Sequence, residues 1–183
     1  MIYPFSLKEV SLTVGAVLIL SHALAFVMGT PLRHSLVALP RSRVAGTILL
    51  LVATVWSLLL VASMDLGEFT PLRNVLLGLI AVGAVLAWMF VEEFLAVRSL
   101  GVIALLAAEP LLEAAFLRPE PARLLVVVLA YLWAIAGLFW VGMPYTLRDQ
   151  IAWVTAAPAR WNASALAGLL YGAALVACSI RFF

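Results

Sequence analysis

Charge is scarce in this chain. Of 183 residues, 11 are Lys or Arg and 9 are Asp or Glu, so 11% of side chains are charged while 66% are hydrophobic. A soluble domain runs at about 25% charged and about 45–50% apolar. So few charges cannot coat a compact globule of this length, which excludes a soluble enzyme, a nucleic-acid-binding module and a disordered chain together. Lysine is nearly absent, with Lys8 alone. No polybasic tract exists to bind nucleic acid or to hold anionic lipid strongly. Cys178 is the single cysteine, so an internal disulfide and a Cys-based metal cluster are both impossible. It falls in an apolar run, where a thiol behaves as a small hydrophobe. The chain has no phosphate-cradling glycine loop, no HExxH and no GxSxG. Its two aspartates, Asp65 and Asp149, are far apart, so no paired Asp site for Mg²⁺ exists. No cofactor and no metal is expected.

What the sequence holds instead is long apolar runs: about 10–29, 44–64, 75–91, 94–117, 124–141 and 163–180. Each approaches the roughly 20 residues that a helix needs to cross about 30 Å of hydrocarbon. None shows the alternating polarity of barrel strands, and only helices or closed barrels satisfy their backbone in lipid. The expected fold is therefore all-α: one transmembrane domain over residues 1–183, a polytopic bundle of about six spans. Six spans use about 120 residues, leaving no room for an extramembrane domain. The small-residue stretch Ala23-Leu24-Ala25 resembles a signal-peptide cleavage site, but the apolar run continues through Phe26, Val27 and Met28, so the first run reads as a retained span. The abundance of Arg, Ala and Leu points to a bacterial cytoplasmic membrane.

Two connections are longer than a turn and resemble each other. Thr30-Pro31 suits an N-cap and first helical position, and Leu32, Leu36 and Leu39 share one face before Pro40. Leu147, Ile151 and Val154 form the matching stripe in the later connection. Short interfacial helices are expected over about 31–39 and 145–157, with Arg33, Arg41, Arg43, Arg148 and Arg160 contacting lipid headgroups. A duplicated span–helix–span hairpin and two similar answers to one geometric problem explain the likeness equally well. The tetrapeptide Thr70-Pro71-Leu72-Arg73 repeats the first connection's and reads as helix capping. Six arginines in the odd connections against five cations opposite barely distinguish the two faces, and the cluster at Arg33, Arg41 and Arg43 favours odd connections inside.

The fourth run contains the only carboxylates expected at membrane depth. If one helix spans it, Glu109 lies near the midplane, where an ionised carboxylate costs about 2.5–3.5 kcal/mol. Glu113, four residues on, shares its face. Alternatively Pro110 ends the span at Ala108, and Pro110 to Phe116 forms a further interfacial helix with Glu113 near its amino end. His22, beside Ser21, is either a bundle histidine paired to a carbonyl or hydroxyl, or the partner of Glu109. Haem ligation with His34 would require that residue to fold back from another element. Ser164, Gly168 and Gly172 form a flat ridge for close helix packing, against an internal or an external partner. The tryptophans and tyrosines fall mostly toward run ends, as in aromatic belts.

Three functional readings follow. A transporter or channel protomer for protons, cations or a small solute would use Glu109, Glu113 and His22, with Glu109 in a cavity touching His22, Thr54 or Ser57. An accessory or assembly subunit of a larger membrane complex would show a dry bundle with Glu109 at an interface. A membrane enzyme would need a polar interfacial cleft holding Arg33, Arg41 or Arg148 with an acid beside it. The partners expected are the lipid bilayer and further membrane chains, identical or different, and not nucleic acid.

Overall fold

The computed structural model describes Tyr3, residues 5–91 and residues 93–182; Met1, Ile2, Pro4, Glu92 and Phe183 lie outside the described residues. The protein is all-α, a multi-pass membrane protein by its architecture. Its helices are α1 (Leu7–Val27), α2 (Gly29–Ala38), α3 (Arg43–Ser63), α4 (Arg73–Phe90), α5 (Leu95–Ala115), α6 (Arg123–Gly142), α7 (Tyr145–Thr155) and α8 (Pro158–Phe182), with 3₁₀ turns at Leu39–Arg41 and Gly67–Leu72. Among the described residues, six of these are long and apolar enough to cross a membrane: α1, α3, α4 with its leading turn, α5, α6 and α8. Helices α2 and α7 are the two short amphipathic elements.

Local chemistry sets most boundaries. Ser6 and Glu9 form a capping box at the start of α1: the Ser6 hydroxyl accepts from the Glu9 N–H, and the Glu9 carboxylate accepts from the Ser6 N–H at 2.8 Å. Ser42 caps α3 by accepting from the Ala45 N–H. Helix α2 differs from expectation. It starts at Gly29, immediately after Met28, with no side-chain cap. Pro31 is then its third residue, where a missing N–H is still harmless because first-turn N–H groups have no partner inside the helix. Thr70 and Pro71 likewise do not cap α4. They sit inside the 3₁₀ turn that feeds it, and Gly67 begins that turn at φ +53°, a conformation that favours glycine.

Helix α5 overturns the reading in which Pro110 breaks the fourth span. It runs unbroken to Ala115 with Pro110 inside. Proline removes one helical hydrogen bond, whereas ending the helix in hydrocarbon would expose several N–H and C=O groups, and the smaller loss prevails.

Helix α5 is also the hub of the bundle, packing on α6 most extensively, then on α3, and on α1 near its carboxyl end. Two glycine crossings set the closest approaches. A Cβ on Gly172 of α8 would come 2.8 Å from the Gly15 carbonyl oxygen of α1, and one on Gly137 of α6 would come 2.7 Å from the Gly101 oxygen of α5. The ridge of Ser164, Gly168 and Gly172 thus meets α1 of the same chain. The main core joins Leu7 and Val10 to Leu111, Ala114, Val126, Leu129 and Leu175, on the side of the chain termini. A smaller cluster of Ala25, Trp161 and Ala165 lies at the other side under α2 and α7. Among the spans, helix α4 packs mainly on α3, and none of its residues is buried.

Arginines close the carboxyl ends of neighbouring helices. Arg73 donates to the Met64 carbonyl at 2.8 Å, Arg123 to Ala115, Arg98 to Val141 at 2.8 Å and Arg43 to Trp88. In each case the cation at one helix start satisfies orphan carbonyls at an adjacent helix end, where the macrodipole also favours it.

Gly172→Leu and Gly137→Leu should each destabilise the protein by about 1–3 kcal/mol, the usual cost of overpacking. Gly83→Leu, where an added Cβ meets no atom within 4 Å, should leave thermal unfolding in detergent nearly unchanged.

Candidate functional site

Glu109 and Glu113 lie one turn apart in the last third of α5. The centre of that helix falls at Leu105, so Glu109 sits about 6 Å toward the termini side rather than at mid-helix. One oxygen of its carboxylate, Oε2, is buried and has no hydrogen-bond partner among the described residues. The side chain borders a groove of about 530 Å³ along α5, with Leu105, Ala108 and Leu112 on one wall and Ala134 of α6 on the other. Glu113 and Phe116 close the groove at the termini end. The same two residues line a second cavity, of about 220 Å³, among Tyr3, Phe5, Leu117 and Arg118. Glu113 therefore belongs to both spaces. Its Oε2 accepts a hydrogen bond from the Tyr3 N–H at 3.0 Å, and the Tyr3 hydroxyl accepts from Trp56 Nε1 of α3 at 2.7 Å. Tyr3 is thereby held beside the Glu113 end of the groove.

His22 is placed elsewhere. Leu7 is level with the Glu113 end of α5, and His22 is fifteen residues further along α1, about 22 Å away along the axis. Its Nδ1 lies 2.8 Å from the Leu18 carbonyl oxygen and its ring lies against Gly168, where any added Cβ would collide with it. It lines a different cavity from Glu109, so the structure brings Glu109 and Glu113 together and leaves His22 apart. Thr54 donates back to Leu50 within α3 and borders a crevice between α3 and α4. In the ridge of α8, Gly172 and Gly168 make room for Gly15 and His22, while Ser164 borders the His22 cavity.

The five arginines expected at lipid headgroups occupy the opposite face from the termini. Arg33 lies over the Trp161 ring at 5.0 Å, Arg160 over Trp153 at 4.8 Å, and Arg43 is engaged with Trp88. Arg148 pairs with Asp149 at 2.8 Å on the surface. Arg41 and Arg148 border a polar cavity of about 320 Å³ with Glu93 and Phe94. This is a cleft with an acid beside the arginines, as the enzymatic reading asks for. Phe94 adopts φ +59°, a left-handed conformation that a side chain of its size rarely takes.

Residues missed in the sequence are those whose role is purely tertiary. Tyr3 is 110 positions from Glu113, and Ala134 carries no chemical signal at all. Among the described residues, no group of three or more His, Cys, Asp or Glu side chains could hold a metal ion. Comparison with protein-family models gives no match, and comparisons with curated proteins and with solved structures give none either.

Trp56→Phe removes the indole donor to Tyr3 and should cost about 1 kcal/mol, the net worth of one hydrogen bond. The expected outcome is faster chymotryptic cleavage after Phe5, with the rest of the chain equally resistant.

Proposed function

We propose that this multi-pass membrane protein is a proton-translocating transport protein, in which Glu109 is the proton-binding group and Glu113 connects it to the face carrying the termini. The observation that carries this reading is the buried, unpartnered oxygen of Glu109 in a groove that adjoins a surface cavity at Glu113. Ionisable groups at membrane depth commonly mark ion paths or proton relays. A proton suits the site better than a metal cation. Two carboxylates on one helical face fall short of the six to eight oxygens that Ca²⁺ takes, and Mg²⁺ demands near-octahedral coordination. A proton needs one oxygen.

The far half of the path lies outside the single chain. Toward the opposite face the Gly101–Gly137 crossing seals α5 against α6, while the Glu109 groove lies between the outer surfaces of the same helices. A second copy of the chain seated on this groove supplies the other half-path. The alternative is an accessory subunit, in which a partner helix brings a hydrogen-bond donor to Glu109. The unburied helix α4 favours that reading.

The test is proton flux into proteoliposomes under an imposed membrane potential, read with an internal pH indicator. Wild-type protein should conduct, Glu109→Gln should fall to the protein-free background, and Glu113→Gln should conduct more slowly. Equal flux in wild type and Glu109→Gln would refute the proton-site assignment. No flux in the wild type would favour the accessory-subunit reading.

A further inference from the structure

A second site stands on the side of the molecule away from the carboxylates. Where α1 and α8 meet the two amphipathic helices, a cavity of about 420 Å³ opens under Leu32 and Leu36 of α2 and Val154 of α7. That volume lies within the range of about 300–1,000 Å³ common for small-molecule pockets. Its walls are almost wholly apolar, and Trp161 is one of them. The Trp161 indole N–H is already committed to the Ala25 carbonyl at 3.0 Å, so it offers the cavity a flat apolar face and no donor. Ser21 donates its hydroxyl to the Leu18 carbonyl at 3.1 Å.

His22 supplies the polar feature. A backbone carbonyl only accepts, so the 2.8 Å contact with Leu18 requires the proton on Nδ1. In the neutral imidazole Nε2 is then the lone-pair acceptor, and no hydrogen bond to it exists among the described residues. His22 is five residues from the end of α1 at Val27, about 8 Å inside the helix end. At that depth an unmatched acceptor is costly, and so is an unmatched ligand hydroxyl; joining the two removes both penalties. Gly168 makes the arrangement possible, since any larger residue there would displace the imidazole.

We infer that this cavity binds an uncharged single-tailed amphiphile through its hydroxyl head, with His22 Nε2 accepting from the ligand hydroxyl and the apolar chain lying along Trp161 and the inner faces of α2 and α7. Fatty and isoprenoid alcohols and phenol-headed lipids have this chemistry. The site is independent of Glu109, because it shares none of its lining residues with the groove.

The hydroxyl and the tail can be tested separately with two probes of equal chain length, 12-bromo-1-dodecanol and 1-bromododecane, whose bromine quenches tryptophan fluorescence on contact. Purified wild-type protein in detergent should show a saturable quenching component that requires Trp161 and disappears in Trp161→Phe. The alcohol should reach half-saturation at a concentration at least tenfold lower than the bromoalkane. His22→Phe keeps a planar aromatic ring, somewhat larger, and removes the acceptor, so it should abolish the difference between the probes while retaining weak binding of both. Ser164→Phe should fill the cavity and abolish both, with circular dichroism showing that the helices persist. Equal affinity for the two probes in the wild type, or an unchanged preference in His22→Phe, would overturn the proposal. Displacement of the alcohol by phosphatidylglycerol at equal potency would also overturn it, by assigning the cavity to ordinary two-tailed lipid.

Discussion

The structure depends on one constraint: in hydrocarbon every backbone N–H and C=O must find its partner within the protein. The interior of each span meets this demand through its own helical bonds. The ends do not, and they are where the chain's few cations have gone. Arg43, Arg73, Arg98 and Arg123 each reach from the start of one helix to carbonyls at the end of another. The same constraint carries α5 straight through Pro110. It also shapes the interfaces, because without a hydrophobic driving force between spans the helices gain most from close van der Waals approach. The paired crossings at Gly15 with Gly172 and at Gly101 with Gly137 provide that approach.

The two sites are places where polar atoms remain uncommitted inside the bundle. Glu109 retains a buried oxygen without a partner, and His22, whose Nε2 makes no hydrogen bond among the described residues, lines a cavity. They lie toward opposite faces, one beside the main core near Tyr3, the other beneath the amphipathic helices. Each is framed by a glycine crossing: Gly101–Gly137 seals the bundle beyond the carboxylate groove, and Gly15–Gly172 precedes the His22 cavity along α1 and follows it along α8. Tight packing and open space are thus complementary, since close approach at the crossings leaves the helices free to splay elsewhere.

Much of the architecture is legible in the sequence because membrane thickness fixes the length of an apolar run, and α3, expected over 44–64, is observed over Arg43–Ser63. The carboxylates are legible for the same reason: an acid in such a run is conspicuous. Boundaries governed by local signals are less so. Thr30-Pro31 is a good helix start in isolation, but the chain turns at Met28 and begins α2 before reaching it. Pro110 is a good helix stop in water, and in the membrane context it is overridden. The ridge of α8 announces close packing without naming α1 as its partner, and the separation of His22 from Glu109 depends on helix order across the bundle, which no local pattern encodes. The indole rings beside Arg33, Arg43 and Arg160 are not legible in the sequence, because each pairing depends on which helices lie side by side.

The central claim is that Glu109 communicates with water on the termini face through Glu113. Maleimides react with thiolates in water and not with thiols sealed in hydrocarbon, so the most direct measurement uses Glu109→Cys combined with Cys178→Ser in sealed vesicles of known orientation. A membrane-impermeant maleimide should label the introduced thiol when applied to the face carrying the termini and leave it unlabelled from the opposite face. Adding Glu113→Trp should slow that labelling, while the same change should not alter labelling of a control thiol introduced by Lys8→Cys. Labelling only from the opposite face, or none from either face in a folded protein, would contradict the account.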